Sequence, residues 1–159
     1  MIEFNQQHLA EYTLNREQLI DCPLDEVFAF FSNAANLERI TPPWLAFRIL
    51  SPMPIEMAVG TRIAYQIGWR FVRMKWTSEI VEWNPKHSFT DVQIRGPYSL
   101  WHHRHTFEPR HGGTRMCDTV RYRLPFGPFG KLAHRVQVRR DLERIFDYRA
   151  AEIFKLLRN

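Results

Sequence analysis

A chain of 159 residues, 45% hydrophobic and 25% charged, has the length of one domain and the composition of an ordinary globular protein, not a disordered or fibrous one. Its net charge of +5 is not gathered into an arm: the densest basic run, Arg135 to Arg144, is interrupted by Asp141 and Glu143, so no nucleic-acid partner is expected. No stretch approaches the roughly 18 apolar residues of a spanning helix, and Met1 to Glu11 lacks the apolar core of a signal peptide.

Tyr12 to Ile20 reads as a first strand, stopped at Asp21-Cys22-Pro23. Pro23 suits the first turn of a helix over Leu24 to Phe31, which turns Val27, Phe28 and Phe31 inward. Asn33 to Ile40 reads as a second short helix, ended by Thr41-Pro42-Pro43. Further strands are predicted over Leu45 to Leu50, Thr61 to Phe71, Arg73 to Trp83, Ser88 to Ile94, Ser99 to Phe107 and Thr114 to Leu124. Short turns between Arg73 and Leu124 favour an antiparallel meander. After Pro125-Phe126-Gly127-Pro128-Phe129-Gly130 the chain has no further Gly or Pro, which predicts one long helix. Val138, Leu142, Ile145, Phe146, Ile153, Leu156 and Leu157 share one face of it.

A lone amphipathic helix must bury its stripe, and only a sheet is available to cover it. The expected fold is therefore α+β: a curved antiparallel sheet of about seven strands wrapped around the C-terminal helix, with two short helices between strands 1 and 2. Residues 1–159 read as a single domain. Such a sheet cannot touch its helix everywhere, so a cavity between them is expected. Cys22 and Cys117 are isolated, which points to reduced thiols and a cytoplasmic location.

This order, together with Pro23-Leu24-Asp25-Glu26-Val27-Phe28, the run Gly96-Pro97-Tyr98 with Trp101, His103, His105 and Phe107, and the tail Asp118, Val120, Tyr122, Pro125, Gly127 and Ile145 to Arg149, resembles the helix-grip fold of the START-like, birch-pollen-allergen-like superfamily (SRPBCC, polyketide cyclase/dehydrase-like), in a bacterial branch. The resemblance runs from Tyr12 to Leu157. It implies a ligand-binding domain but not one activity, because the superfamily includes binders, transporters, cyclases and chaperone partners.

Alternation along the strands gathers the candidate site. Trp101, His103, His105 and Phe107 share a face; so do Phe89, Asp91 and Gln93, and so do Met116, Asp118, Val120 and Tyr122. With Tyr65, Trp69 and Trp76 of strands 3 and 4 and Arg139 near the helix start, these residues are the expected ligand-binding set: Tyr65, Trp69, Trp76, Phe89, Gln93, Trp101, His103, His105, Tyr122 and Arg139. Trp44 and Leu45 are expected to form a lip. His103, His105, Asp91 and Asp118 are also the candidates for acid–base catalysis, or else core histidines satisfied by carboxylates and carbonyls. No serine or cysteine stands in a nucleophile motif. His103-x-His105 has the spacing for two ligands on one metal, with Asp91 or Asp118 as a third, but no further donor cluster supports it; the reading assigns no metal and no cofactor.

Arg149 falls in the middle of the apolar arc. It reads as a structural clamp neutralised by Asp91, Asp118 or Glu79; otherwise it meets an anionic group of a ligand. The expected function is binding of a hydrophobic small molecule. The alternatives are a cyclase/dehydrase- or isomerase-like enzyme in the same cavity, and a protein-interaction module using the basic helix surface.

Overall fold

The computed structural model describes residues 10–69 and 71–157; the expectations that fall on Met1 to Leu9, Arg70, Arg158 and Asn159 lie outside these. Strand β1 (Glu11–Ile20) leads through Pro23 into α1 (Leu24–Phe31) and α2 (Asn36–Ile40). A 3-10 turn (Pro43–Leu45) and the short β2 (Arg48–Ile49) follow. Then come β3 (Arg62–Trp69), β4 (Val72–Asn84), β5 (Ser88–Arg95), β6 (Leu100–Arg110) and β7 (Gly113–Arg123). The C-terminal helix has three parts: α3 (Gly127–Ala133), a π-helical turn (His134–Val138) and α4 (Arg139–Leu156).

The seven strands form one antiparallel sheet in the order β1-β7-β6-β5-β4-β3-β2, the expected curved sheet with its long helix. Two predicted elements are shorter than the sequence implies. Asn33 Oδ1 accepts the Ala35 amide at 3.1 Å, a local bond that competes with helix, and α2 starts only at Asn36. Ala46 adopts a left-handed backbone, φ 41°, which interrupts the strand expected over Leu45 to Leu50 and leaves only Arg48 and Ile49 paired with β3.

Register shifts break the β4–β5 ladder between Thr77 and Ser78 and between Ile80 and Glu82. The second shift resets the alternation, so Trp83, not Glu82, joins Ile80 on the concave side, packing on Phe28 and Phe89. Glu82 instead accepts the hydroxyls of Ser88 and Thr90. Bulges of this kind bend a sheet and increase its twist.

The core is divided. One buried cluster joins Val27, Phe28 and Phe31 of α1 to Phe89, Phe107, Met116 and Ile153. The other joins Val120 and Tyr122 of β7 to Leu142 and Phe146 of α4. Phe107 is 2% exposed and packs on the rings of Phe28, Phe31 and Phe89. Phe107→Ala is expected to lower the unfolding free energy by about 3–5 kcal/mol, read as a lower urea midpoint with an unchanged slope.

Candidate functional site

Between the two clusters lies a cavity of about 690 Å³. Its walls come from β3 to β6, the segment between α1 and β2, and the C-terminal helix; β1 and β7 contribute none of its lining residues. The helix therefore meets the sheet along the β1–β7 edge and stands away from β3 to β5.

Most of the lining is apolar. Tyr65, Trp69, Trp76, Phe89 and Trp101 all border the cavity. Trp76 stacks on Tyr65 at 5.9 Å and meets Trp101 edge-on at 5.1 Å. Ser78 accepts the Trp76 indole N–H at 3.1 Å and shares a hydrogen bond with the Tyr65 hydroxyl at 3.1 Å. Burial, with the Asp91 charge, pushes the Tyr65 phenol far up and keeps it neutral. Tyr98 also lines the wall, in contact with Trp76 and Trp101. It sits in a turn, where strand periodicity gives no signal.

One wall is polar. Sheet register puts Asp91 of β5 opposite His103 of β6, and His105 opposite Asp118 of β7. The imidazole centroids of His103 and His105 are 3.9 Å apart. His103 Nε2 is hydrogen-bonded to Asp118 Oδ1 at 2.9 Å. His105 Nδ1 lies 2.8 Å from the same oxygen, but not in line for a hydrogen bond. The other ring nitrogens, His103 Nδ1 and His105 Nε2, stand 3.7 and 3.6 Å from Asp91 Oδ2. Asp91, His103 and His105 border the cavity; Asp118 does not.

Burial opposes the charge on Asp118, but the two imidazoles outweigh it and hold the carboxyl well below the usual carboxylate range. Asp91 is lowered in the same way, against burial, by both imidazoles. An ionised carboxylate only accepts, so His103 Nε2 carries the proton it shares with Asp118. Burial and then the neighbouring His105 charge push His103 down. For His105 burial acts in the same sense, but the two carboxylates prevail and raise it.

Several candidates stand elsewhere. Gln93 clamps its own turn, donating to the Tyr98 carbonyl at 2.7 Å and accepting the Tyr98 amide at 3.2 Å. A Cβ at Gly96 would collide with Gln93 Oε1, so this clamp needs the glycine. The Tyr122 hydroxyl bonds His134 Nε2 at 2.8 Å, and Tyr12 stacks on the same imidazole at 3.4 Å. Tyr122 thus ties β7 to the π turn, in the region where sheet and helix touch. Burial pushes its phenol up to about 12. His134 is not among the sequence candidates, although it lies four residues before Val138, the helical spacing that could have located it. Arg139, at the edge of the stripe, is exposed and turns outward to Glu143 at 3.0 Å. Trp44 packs edge-on against Tyr148, while its neighbour Leu45 borders the cavity. At the mouth, Phe126 and Phe129 are 80% and 79% exposed. There Trp69 Nε1 reaches Asp141 Oδ2 at 3.2 Å, linking β3 to the helix.

The expected clamp at Arg149 is not formed. Glu79 pairs with Arg62 at 2.7 Å, and Asp91 and Asp118 face the imidazoles. Arg149 borders the cavity, with its guanidinium over the Phe146 ring at 5.4 Å. Its Nε is buried without a hydrogen-bond partner. No carboxylate of the described residues lies within ion-pair distance of it.

Residues 20–147 match the family of polyketide cyclase / dehydrase and lipid transport proteins. The chain belongs to this family. Polyketide cyclase/dehydrase-type proteins bind hydrophobic ligands. No curated protein matches the chain in sequence. Among solved structures, protein CV1439 from Chromobacterium violaceum superposes with a TM-score of 0.71 at 12% identity, over 92% of this chain and 97% of that one. Major latex-like protein 151 from Panax ginseng gives 0.68 at 13%, over 94% and 99%. Norcoclaurine synthase from Thalictrum flavum, solved in complex with dopamine and hydroxybenzaldehyde, gives 0.66 at 12%, over 98% and 93%. At these identities the likeness is one of fold: the START-like, birch-pollen-allergen-like helix grip. No helix among the described residues is long and apolar enough to cross a membrane.

Removing the Arg149 charge relieves an unpaired, partly buried cation and breaks no ion pair. Arg149→Leu is therefore expected to unfold within about 1 kcal/mol of wild type, or above it, by thermal melting; a loss of several kcal/mol would require an ion-pair partner. Asp118→Ala strands two buried imidazoles and is expected to cost about 3–5 kcal/mol in the same assay.

Proposed function

We propose that the protein binds a hydrophobic small molecule carrying an anionic group in the cavity between sheet and C-terminal helix. The observation that carries this reading is the 690 Å³ apolar cavity, within the size range of drug-sized ligand sites. The aromatic wall of Tyr65, Trp76, Phe89 and Trp101 supplies apolar contact, and His103, His105 and Asp91 give one side polar character. Arg149, half-buried and with no carboxylate partner among the described residues, supports an acidic head group. A deep cavity favours a ligand binder over a module that works through its outer surface. Both cysteines are free, which supports a cytoplasmic setting.

A second reading, cyclase- or isomerase-like catalysis in the same cavity, is favoured by the His103–Asp118 hydrogen bond of 2.9 Å, with the imidazole bordering the cavity. It would be marked by turnover of a bound ligand that His103→Ala abolishes while binding persists.

Titration with the anionic apolar probe 8-anilinonaphthalene-1-sulfonate is expected to give saturable, one-to-one fluorescence enhancement. Val138→Trp, which fills the helix side of the cavity, is expected to abolish it. Arg149→Leu is expected to weaken this probe by about 10- to 100-fold, yet leave the neutral probe Nile red unchanged. Probe binding that survives Val138→Trp would refute the cavity reading; equal loss of both probes in Arg149→Leu would refute the anionic contact.

A further inference from the structure

The polar wall of the cavity has an order that ligand binding alone does not require. Its ring nitrogens fall into two sets. His103 Nε2 and His105 Nδ1 turn away from the cavity toward Asp118 Oδ1, at 2.9 and 2.8 Å. His103 Nδ1 and His105 Nε2 turn toward Asp91 Oδ2, at 3.7 and 3.6 Å. One donor atom from each of Asp91, His103 and His105 lies within 4.8 Å of the other two, and these residues border the cavity while Asp118 stands behind them.

We propose that Asp91 Oδ2, His103 Nδ1 and His105 Nε2 ligate one divalent transition-metal ion of the zinc class, with its remaining coordination positions open to the cavity. The separations favour an ion over a network of protons. At 3.6 and 3.7 Å the Asp91 contacts are longer than hydrogen bonds. Two donors each about 2.0–2.2 Å from one tetrahedral ion stand about 3.3–3.6 Å apart, close to what is found.

The donor set points the same way. Two imidazoles and one carboxylate suit zinc and its neighbours, whereas calcium and magnesium prefer all-oxygen shells. Three protein ligands beside an open cavity are the pattern of sites that bind substrate on the metal; structural zinc sites are closed by four. Asp118 has the outer carboxylate's role: it hydrogen-bonds His103 Nε2, which leaves His103 Nδ1 to face the ion, and its Oδ1 lies 2.8 Å from His105 Nδ1. Charge also balances: the carboxylates of the partly buried Asp91 and the buried Asp118 together carry the charge that one dication neutralises. All four side chains come from β5, β6 and β7, adjacent strands of one sheet, so the donors are held by a rigid frame.

The test uses untagged full-length protein, stripped with chelator and titrated calorimetrically with zinc sulfate, with bound metal counted by plasma mass spectrometry. One equivalent is expected at micromolar affinity or tighter. Asp91→Asn and His105→Ala are each expected to abolish it, and Asp118→Asn to weaken it by about 10- to 100-fold. His87→Ala, on the exposed β4–β5 turn, is expected to leave it unchanged. Cobalt(II) added to the wild-type chain is expected to give the visible absorption bands of a four- or five-coordinate ion, a readout that holds even if a substitution unfolds the chain. Absence of saturable zinc binding to the wild type overturns the proposal. So does one-equivalent binding that persists in both folded Asp91→Asn and folded His105→Ala proteins.

Discussion

The C-terminal helix packs on the sheet most closely at its β1–β7 side, and the cavity follows from that lopsided contact. A bent sheet cannot lie flat against a nearly straight helix. Val120 and Tyr122 meet Leu142 and Phe146 at the β7 side, and the hydroxyl of Tyr122 on His134 secures the start of the helix there. On the far side the strands curve away, and the space is walled by Tyr65, Trp76 and Trp101, with no helix side chain filling it. Helix α1 closes the other end by burying Phe28 and Phe31 against Phe89 and Phe107, with Ile40 of α2 in the same cluster. Stability is thus concentrated at two ends, and the middle is free to accommodate a ligand.

Charge in that middle is arranged unequally. The carboxylates of Asp91 and Asp118 are matched by the imidazoles they face, which hold both ionised despite burial. Arg149 is matched by no carboxylate of the described residues and rests on the Phe146 ring. This separates the imidazole–carboxylate wall, fixed by sheet register, from the arginine opposite, carried on the helix.

Much of this was legible in the chain. Strand alternation sufficed to gather Asp91, His103, His105 and Asp118 on one face, because a period of two leaves no freedom where the ladder is regular. It failed where the ladder is not regular: the register shift at Ile80 to Glu82 turned Trp83 inward, and Ala46 cut β2 short. On the helix the stripe from Leu142 to Ile153 was correctly placed, since α4 is regular there. The contacts of His134 at the π turn lay beyond reach, for its partners Tyr12 and Tyr122 are more than ten positions away.

By itself, then, the amino-acid order determined the elements, their antiparallel meander, the helix-grip architecture and the residue types on each face, because these depend on local periodicity and on Gly and Pro. Only the tertiary structure decided which inward-facing groups find partners. Gln93 is taken by the Tyr98 backbone, Tyr122 by His134, Glu79 by Arg62, and Arg149 by no carboxylate of the described residues. Pairing depends on distances of a few tenths of an ångström between segments remote in sequence, and periodicity carries no information at that scale.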